Sequence, residues 1–152
     1  MDQRVSVIGG STATDEQLEA GAAVGRELAR RGYTVVCGGR GGTMEAVCRG
    51  VKATGGTTIG IVPSDRREQA NAFVDIAIAT GLGHARNALV PMNGDAVIAL
   101  PGSNGTLTEI GFAGIYDRPI VGLRTHDVPG LESVDTPAAA VDAVDAALRD
   151  ER

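Results

Sequence analysis

Three times before Leu107, a short run of branched apolar residues breaks off into glycine and a segment with helical spacing follows. VSVI at 5–8 runs into Gly9-Gly10-Ser11, VVC at 35–37 into GGRGGT, and VIAL at 97–100 into PGSNGT. An apolar run this short, bounded by turn residues, reads as a buried strand. Its alternation with helical segments is the pattern of βαβ units around a parallel sheet. The chain has 152 residues, the size of a single core. The expectation is therefore one doubly wound α/β domain over 1–152.

Strands are expected at 5–8, 33–37, 57–62, 73–79, 96–100 and 119–123, which gives a Rossmann-like, mainly parallel sheet of about six or seven strands. The first helix should run from Asp15 to Arg30 on an apolar stripe of Leu18, Ala22, Gly25, Leu28 and Ala29, with Gly32 ending it. A second helix is expected over 44–53 and a short one near His84, which should cap it. A fourth carries Leu107, Ile110, Gly111 and Ile115, and Pro137 opens the last. Residues 63–72 lack apolar period and read as an exposed loop or one ragged turn, of the kind that covers ligands. Residues 124–135, with Pro129-Gly130, read as a polar connection in which His126 lies on the surface without a partner.

Composition narrows the function. Hydrophobic residues make up 43%, but with two Tyr, two Phe and no Trp the core must be aliphatic and stacking platforms for bases are lacking. A net charge of −5 supplies no basic field, so no nucleic-acid partner is expected. Cys37 and Cys48 fit neither a zinc site nor a disulfide framework and read as small buried hydrophobes. No leader or membrane-spanning run is visible, so the expected setting is cytoplasmic, without membrane contact. Lys52 is the only lysine among 14 basic residues and Asp supplies 11 of 19 acids, a bias that fits GC-rich coding or adaptation to high salt.

In a parallel sheet, all three glycine turns fall on the carboxyl edge, where open α/β sheets bind ligands. The candidate ligand- or phosphate-binding residues are Gly9, Gly10, Ser11, Gly38, Gly39, Gly41, Gly42, Thr43, Gly102, Ser103, Asn104, Gly105 and Thr106. Glycines let backbone N–H groups approach a phosphate, and a following helix adds a favourable dipole. Glycines that only make tight turns are the alternative. Three turns on one edge, two with Gly-Thr opening a helix, favour phosphate. GGRGG lacks the GxGxxG spacing, and GxxxxGK[ST] does not occur.

The run Pro101-Gly102-Ser103-Asn104-Gly105-Thr106-Leu107-Thr108-Glu109 resembles the PGGxGTxxE motif of the LOG (Lonely Guy) family, often misnamed lysine decarboxylases. GGRGGTMEAV at 38–47 resembles that family's other glycine loop, and GHARNALV at 83–90 its arginine-bearing helix. The resemblance spans Val5 to about Leu123 and is nearest the short branch that includes molybdenum-cofactor carrier proteins. It implies hydrolysis of the N-glycosidic bond of nucleoside 5′-monophosphates, with no metal and no cofactor, in a homodimer or larger homo-oligomer. Thr106 and the amides of Gly102 to Gly105 would hold the 5′-phosphate. Glu109 would serve the ribose or an attacking water, and Arg86 would put positive charge near the phosphate or leaving base.

Two departures favour the other implied role, a non-catalytic carrier or sensor of a phosphorylated, phosphopterin-type cofactor. Ser103 replaces the motif's second glycine, and Asn87 stands where the hydrolases usually carry lysine. Taken without the motif, Glu109 is a first-turn acid that suits a helix dipole and Arg86 an ordinary surface arginine, while Glu45 either lines the cleft from the second glycine loop or is an ordinary first-turn acid. Pyridoxal-dependent decarboxylation is rejected, because Lys52 lies far in sequence from every glycine turn. The apolar helix near Leu107 to Tyr116 also points to a homo-oligomer.

Overall fold

A computed structural model describes residues 2–151. Seven parallel strands form one sheet in the order β4-β3-β2-β1-β5-β6-β7. They are β1 (Arg4–Ile8), β2 (Thr34–Cys37), β3 (Thr58–Val62), β4 (Ile76–Ala79), β5 (Ala96–Ala99), β6 (Ile120–Leu123) and β7 (Leu131–Val134). The order grows outward from β1 in one direction and restarts at β5 in the other, so the switch point lies between these two central strands. Every residue of β3, β5 and β6 is buried, which explains the unbroken apolar sequence of β5 and β6.

Helices α1 (Asp15–Arg30), α2 (Thr43–Ala53) and α5 (Pro137–Asp150) cover one face, and α3 (Leu89–Met92) and α4 (Asn104–Ile115) the other. α1 begins at a capping box in which the Thr14 hydroxyl accepts from Gln17 N–H and the Gln17 amide accepts from Thr14 N–H. Thr136 caps α5 in the same way as far as its hydroxyl goes, accepting from Ala139 N–H, and Pro137 sits at the first helical turn. On the second face, Val90, Ile110 and Ala113 pack over Ile8, Val97 and Ala99.

Three expectations are corrected. The 124–135 connection contains β7, an edge strand whose exposed Glu132 and Ser133 hide its pairing with β6. The strand expected over 73–79 starts only at Ile76. Asn71 turns the chain there by accepting from Phe73 N–H, while the Asp75 carboxylate takes the Thr58 N–H that a longer ladder would have used. The helix near His84 is a 3-10 segment, Gly83–Ala88, running into the single turn of α3; His84 is its exposed second residue and caps nothing. Lys52 donates to Asp75 and to the Gly56 carbonyl, remote from the carboxyl edge of the central strands.

Candidate functional site

The loops after β1, β2 and β5 are knitted into one surface at the switch point. Gly10 N–H donates to the Pro101 carbonyl and Thr43 N–H to the Gly10 carbonyl, each at 3.0 Å. So close an approach dictates glycine at two positions. A Cβ at Gly42, whose φ is 65°, would lie 2.2 Å from the Ser11 carbonyl oxygen, and one at Gly102 would lie 2.0 Å from Thr106 Oγ1. Packing of loop on loop thus accounts for part of the glycine pattern. It also uses amides: Gly10 and Thr43 donate as above, and Gly39 N–H donates to Cys37 Sγ at 3.3 Å. These three donors face protein acceptors, which takes Gly10, Gly39 and Thr43 out of the set of backbone candidates for a ligand.

α4 begins immediately after the third loop. Ser103 is its N-cap residue but makes no side-chain cap bond, so the first-turn N–H groups and the positive end of the dipole remain turned toward the loop edge. Thr106 is buried against Gly102 at 3% exposure. His126 does have a partner after all: its Nε2 lies 3.2 Å from the Ser103 carbonyl, placed there by the return of the chain from β6. Glu45 is half-buried in the first turn of α2.

Arg86, on the 3-10 segment, reaches under the second loop. Its Nη2 donates to the Gly38 carbonyl at 3.3 Å and its Nη1 to Asn87 Oδ1, while Nε is buried with no partner. Asn87, 5% exposed, donates through Nδ2 to Thr108 Oγ1 at 3.2 Å, and that hydroxyl donates to the Gly105 carbonyl at 2.6 Å. One chain of polar contacts therefore joins the second glycine loop to the third through Arg86 and Asn87. Sequence inspection registers Asn87 only as a departure from lysine; its bracing role depends on packing between the 3-10 segment and α4.

Glu109 points into the same region from α4 and is only 6% exposed. Among the described residues no hydrogen bond or ion pair within 4 Å engages it. Burial pushes its carboxyl up to about 8, against the opposing pull of Arg86, so it is largely protonated at neutral pH. Burial likewise lowers the Arg86 guanidinium, again opposed by the carboxyl. Thr43 Oγ1 is a further buried polar atom without a partner. Unsatisfied polar atoms and an acid forced neutral are thus gathered where the loops meet, a combination enriched at functional sites.

A Rossmann-type α/β protein with its loops joined at the β1/β5 switch point is the class these features define. The chain belongs to the SLOG cluster4 family, whose model matches residues 2–148. It is 35% identical over 139 residues to an uncharacterised protein of Archaeoglobus fulgidus, covering 91% of each chain. It is 39% identical over 115 residues to the cytokinin riboside 5′-monophosphate phosphoribohydrolase of Mycobacterium tuberculosis, covering 70% of this chain but only 62% of that enzyme. Among solved structures, the molybdenum cofactor binding protein of Rippkaea orientalis matches with a TM-score of 0.91 at 31% identity, covering 97% of this chain and 98% of that one. The molybdenum cofactor carrier protein of Chlamydomonas reinhardtii matches with the same TM-score at 28% identity, covering 98% and 99%. No helix among the described residues is long and apolar enough to cross a membrane.

Proposed function

We propose that the protein binds a nucleoside 5′-monophosphate at the switch-point edge and hydrolyses its N-glycosidic bond. The observation that carries this reading is Glu109: a buried carboxylic acid, held neutral one turn into a helix whose amino end suits a phosphate, with Arg86 alongside. The phosphate lies at 102–106 and Thr106. Glu109 gives its proton to the departing base as the C1′–N bond breaks, and water adds to the oxocarbenium-like C1′, returning a proton to the carboxylate. The products are the free base and ribose 5-phosphate. Arg86 stabilises the carboxylate that forms in passing.

A carrier reading has its own support. The carrier structures match this chain from end to end, whereas the chain spans only 62% of the mycobacterial hydrolase. Asn87, which fastens the arginine, also belongs to this reading. Incubation with a panel of nucleoside 5′-monophosphates, followed by chromatography for free base and ribose 5-phosphate, decides between them. Release of base supports the hydrolase. No release from any of them, with a phosphopterin retained through purification, supports the carrier.

The protein acts as a homodimer in the cytoplasm in either case. α4 leaves Ile115 72% and Leu107 40% exposed, and Gly111 and Gly114 between them face open space, which is the surface a second copy would cover. Light scattering at micromolar concentration should give twice the chain mass; a strictly monomeric mass rejects the dimer.

A further inference from the structure

Beneath the second glycine loop lie two thiols that the chemistry above does not use. Cys37 ends β2, Cys48 lies in the second turn of α2, and both are wholly buried with their Sγ atoms 3.5 Å apart. Nothing in their sequence separation suggests the encounter, which arises because α2 folds back over the strand that precedes it. The pair is wired to the loop above it. Gly39 N–H donates to Cys37 Sγ, and the neighbouring Gly38 carbonyl holds Arg86.

We propose that Cys37 and Cys48 are a redox pair that closes to an intrachain disulfide, and that closure disturbs the second glycine loop and weakens ligand binding at the switch-point edge. Cys37 reacts first. Its sulfur shares a hydrogen bond with the Cys48 sulfur and accepts from Gly39 N–H; these and the Arg86 charge favour its thiolate against the opposing cost of burial, while the same shared bond and burial hold Cys48 in the thiol form. The oxidant is a small hydroperoxide. The Cys37 thiolate attacks the peroxide oxygen, the O–O bond breaks, and a sulfenic acid and one molecule of water (or alcohol) result after protonation. The Cys48 sulfur then attacks the Cys37 sulfenic sulfur and displaces hydroxide, which leaves as water with the Cys48 proton. Two electrons have passed from the sulfurs to the peroxide, and an external thiol reverses the step.

Bonding brings the sulfurs about 1.5 Å closer, to roughly 2.05 Å. α2 is seated closely on α1, where a Cβ at Gly50 would lie 2.1 Å from the Ala22 carbonyl oxygen, so it yields less readily than the loop. The shift falls on the Cys37 side chain and the residues after it. Gly39 N–H then loses its sulfur acceptor, and the Gly38 carbonyl moves relative to Arg86.

The test uses the full chain exposed to hydrogen peroxide, then alkylated under denaturing conditions and weighed intact. The expected result is a species that has lost two hydrogen atoms, takes up no alkylating agent and regains both thiols with reductant, whereas Cys48→Ser forms no such species. Two thiols that still alkylate fully after peroxide overturn the pair. The coupling rests on the proposed role of the loop and is read by calorimetry with adenosine 5′-monophosphate. Affinity should fall about fivefold or more on oxidation and recover on reduction, with Cys48→Ser unresponsive; unchanged affinity in the disulfide form overturns the coupling. If the reduced protein binds no adenosine 5′-monophosphate, the nucleotide reading fails separately, and hydrogen exchange decides the coupling. Amides at 38–43 should then exchange faster in the disulfide form, and equal protection overturns it.

Discussion

Two arginine–carboxylate partnerships sit at opposite ends of the sheet and are built in opposite ways. At the amino end, Arg31 meets Asp145 at 2.5 Å and Asp142 at 2.8 Å, and Asp145 also accepts from the Tyr33 hydroxyl. Asp145 raises the Arg31 guanidinium further, and although burial acts to raise Asp145, Tyr33 and Arg31 outweigh it and hold that carboxyl low. Arg31 and Asp145 are each more firmly charged than they would be alone, and the cluster ties α1 to α5. At the carboxyl end, half-buried Arg86 and buried Glu109 make no ion pair and are both pushed toward neutrality. The first arrangement is complete in the free protein. The second holds polar capacity unspent, and unspent capacity beside open backbone donors is what a ligand can use.

The sharpest way to break this comparison is Glu109→Gln, which keeps size and hydrogen bonding but removes the proton exchange. Release of free base from adenosine 5′-monophosphate, followed chromatographically, should fall by about a hundredfold or more while binding of the nucleotide survives. Equal rates in variant and wild type would remove the Glu109 carboxyl from the chemistry and leave it a buried residue of α4, where its place beyond the first turn gives it no role in complementing the dipole.

The same residue makes stability depend on pH. Its ordinary value of 4.5 rises to about 8 in the folded chain, so between these limits the native state holds one more proton than the unfolded one. Stability from this source is therefore full below pH 4.5 and is lost as pH climbs through 8, a change on the order of a few kcal/mol. Thermal unfolding of wild type should weaken across that window relative to Glu109→Gln; parallel pH profiles would show that the carboxyl is not held neutral.

Thr106→Val tests the third loop. Losing one hydroxyl bond to a charged phosphate should cost roughly 1.5 to 3 kcal/mol, or about ten- to hundredfold in affinity by calorimetry. Unchanged affinity removes Thr106 from the phosphate contact and leaves it a packing residue over Gly102. The smallest effect belongs to the other pole. Arg31→Ala breaks partly exposed ion pairs and should lower stability by about 1 kcal/mol in denaturant unfolding, with nucleotide affinity untouched. A change in affinity would mean that the two ends of the sheet are coupled.

The elements that sequence inspection located best are those whose signals are local. α1 shows as the stripe of Leu18, Ala22, Gly25, Leu28 and Ala29 ended by Gly32, and the wholly buried strands β5 and β6 are continuous apolar runs. β7 escaped because Leu131–Val134 is an edge strand, half exposed, whose identity comes from pairing with β6 rather than from its own residues. His126 escaped for a related reason: its partner, the Ser103 carbonyl, lies across the sheet edge. The glycine loops were legible as loops, but the Gly10, Gly39 and Thr43 amides turn out to serve protein acceptors, which no pattern of residues could distinguish from amides open to phosphate.

Sequence alone therefore determined the alternating α/β plan and the gathering of three glycine turns on one edge, because hydrophobic period, caps and chain breaks act over a few residues and parallel crossover fixes which ends coincide. It also singled out Arg86 and Glu109, through a motif rather than through their surroundings. Tertiary structure decided what those surroundings are. Glu109 becomes a neutral acid only because α4 and the 3-10 segment bury it beside Arg86, Asn87 becomes a brace only because it spans two loops, and Cys37 meets Cys48 only because α2 packs back over β2. Desolvation, and contacts between residues distant in the chain, depend on which elements end up adjacent, and that is settled by the packing of the whole domain.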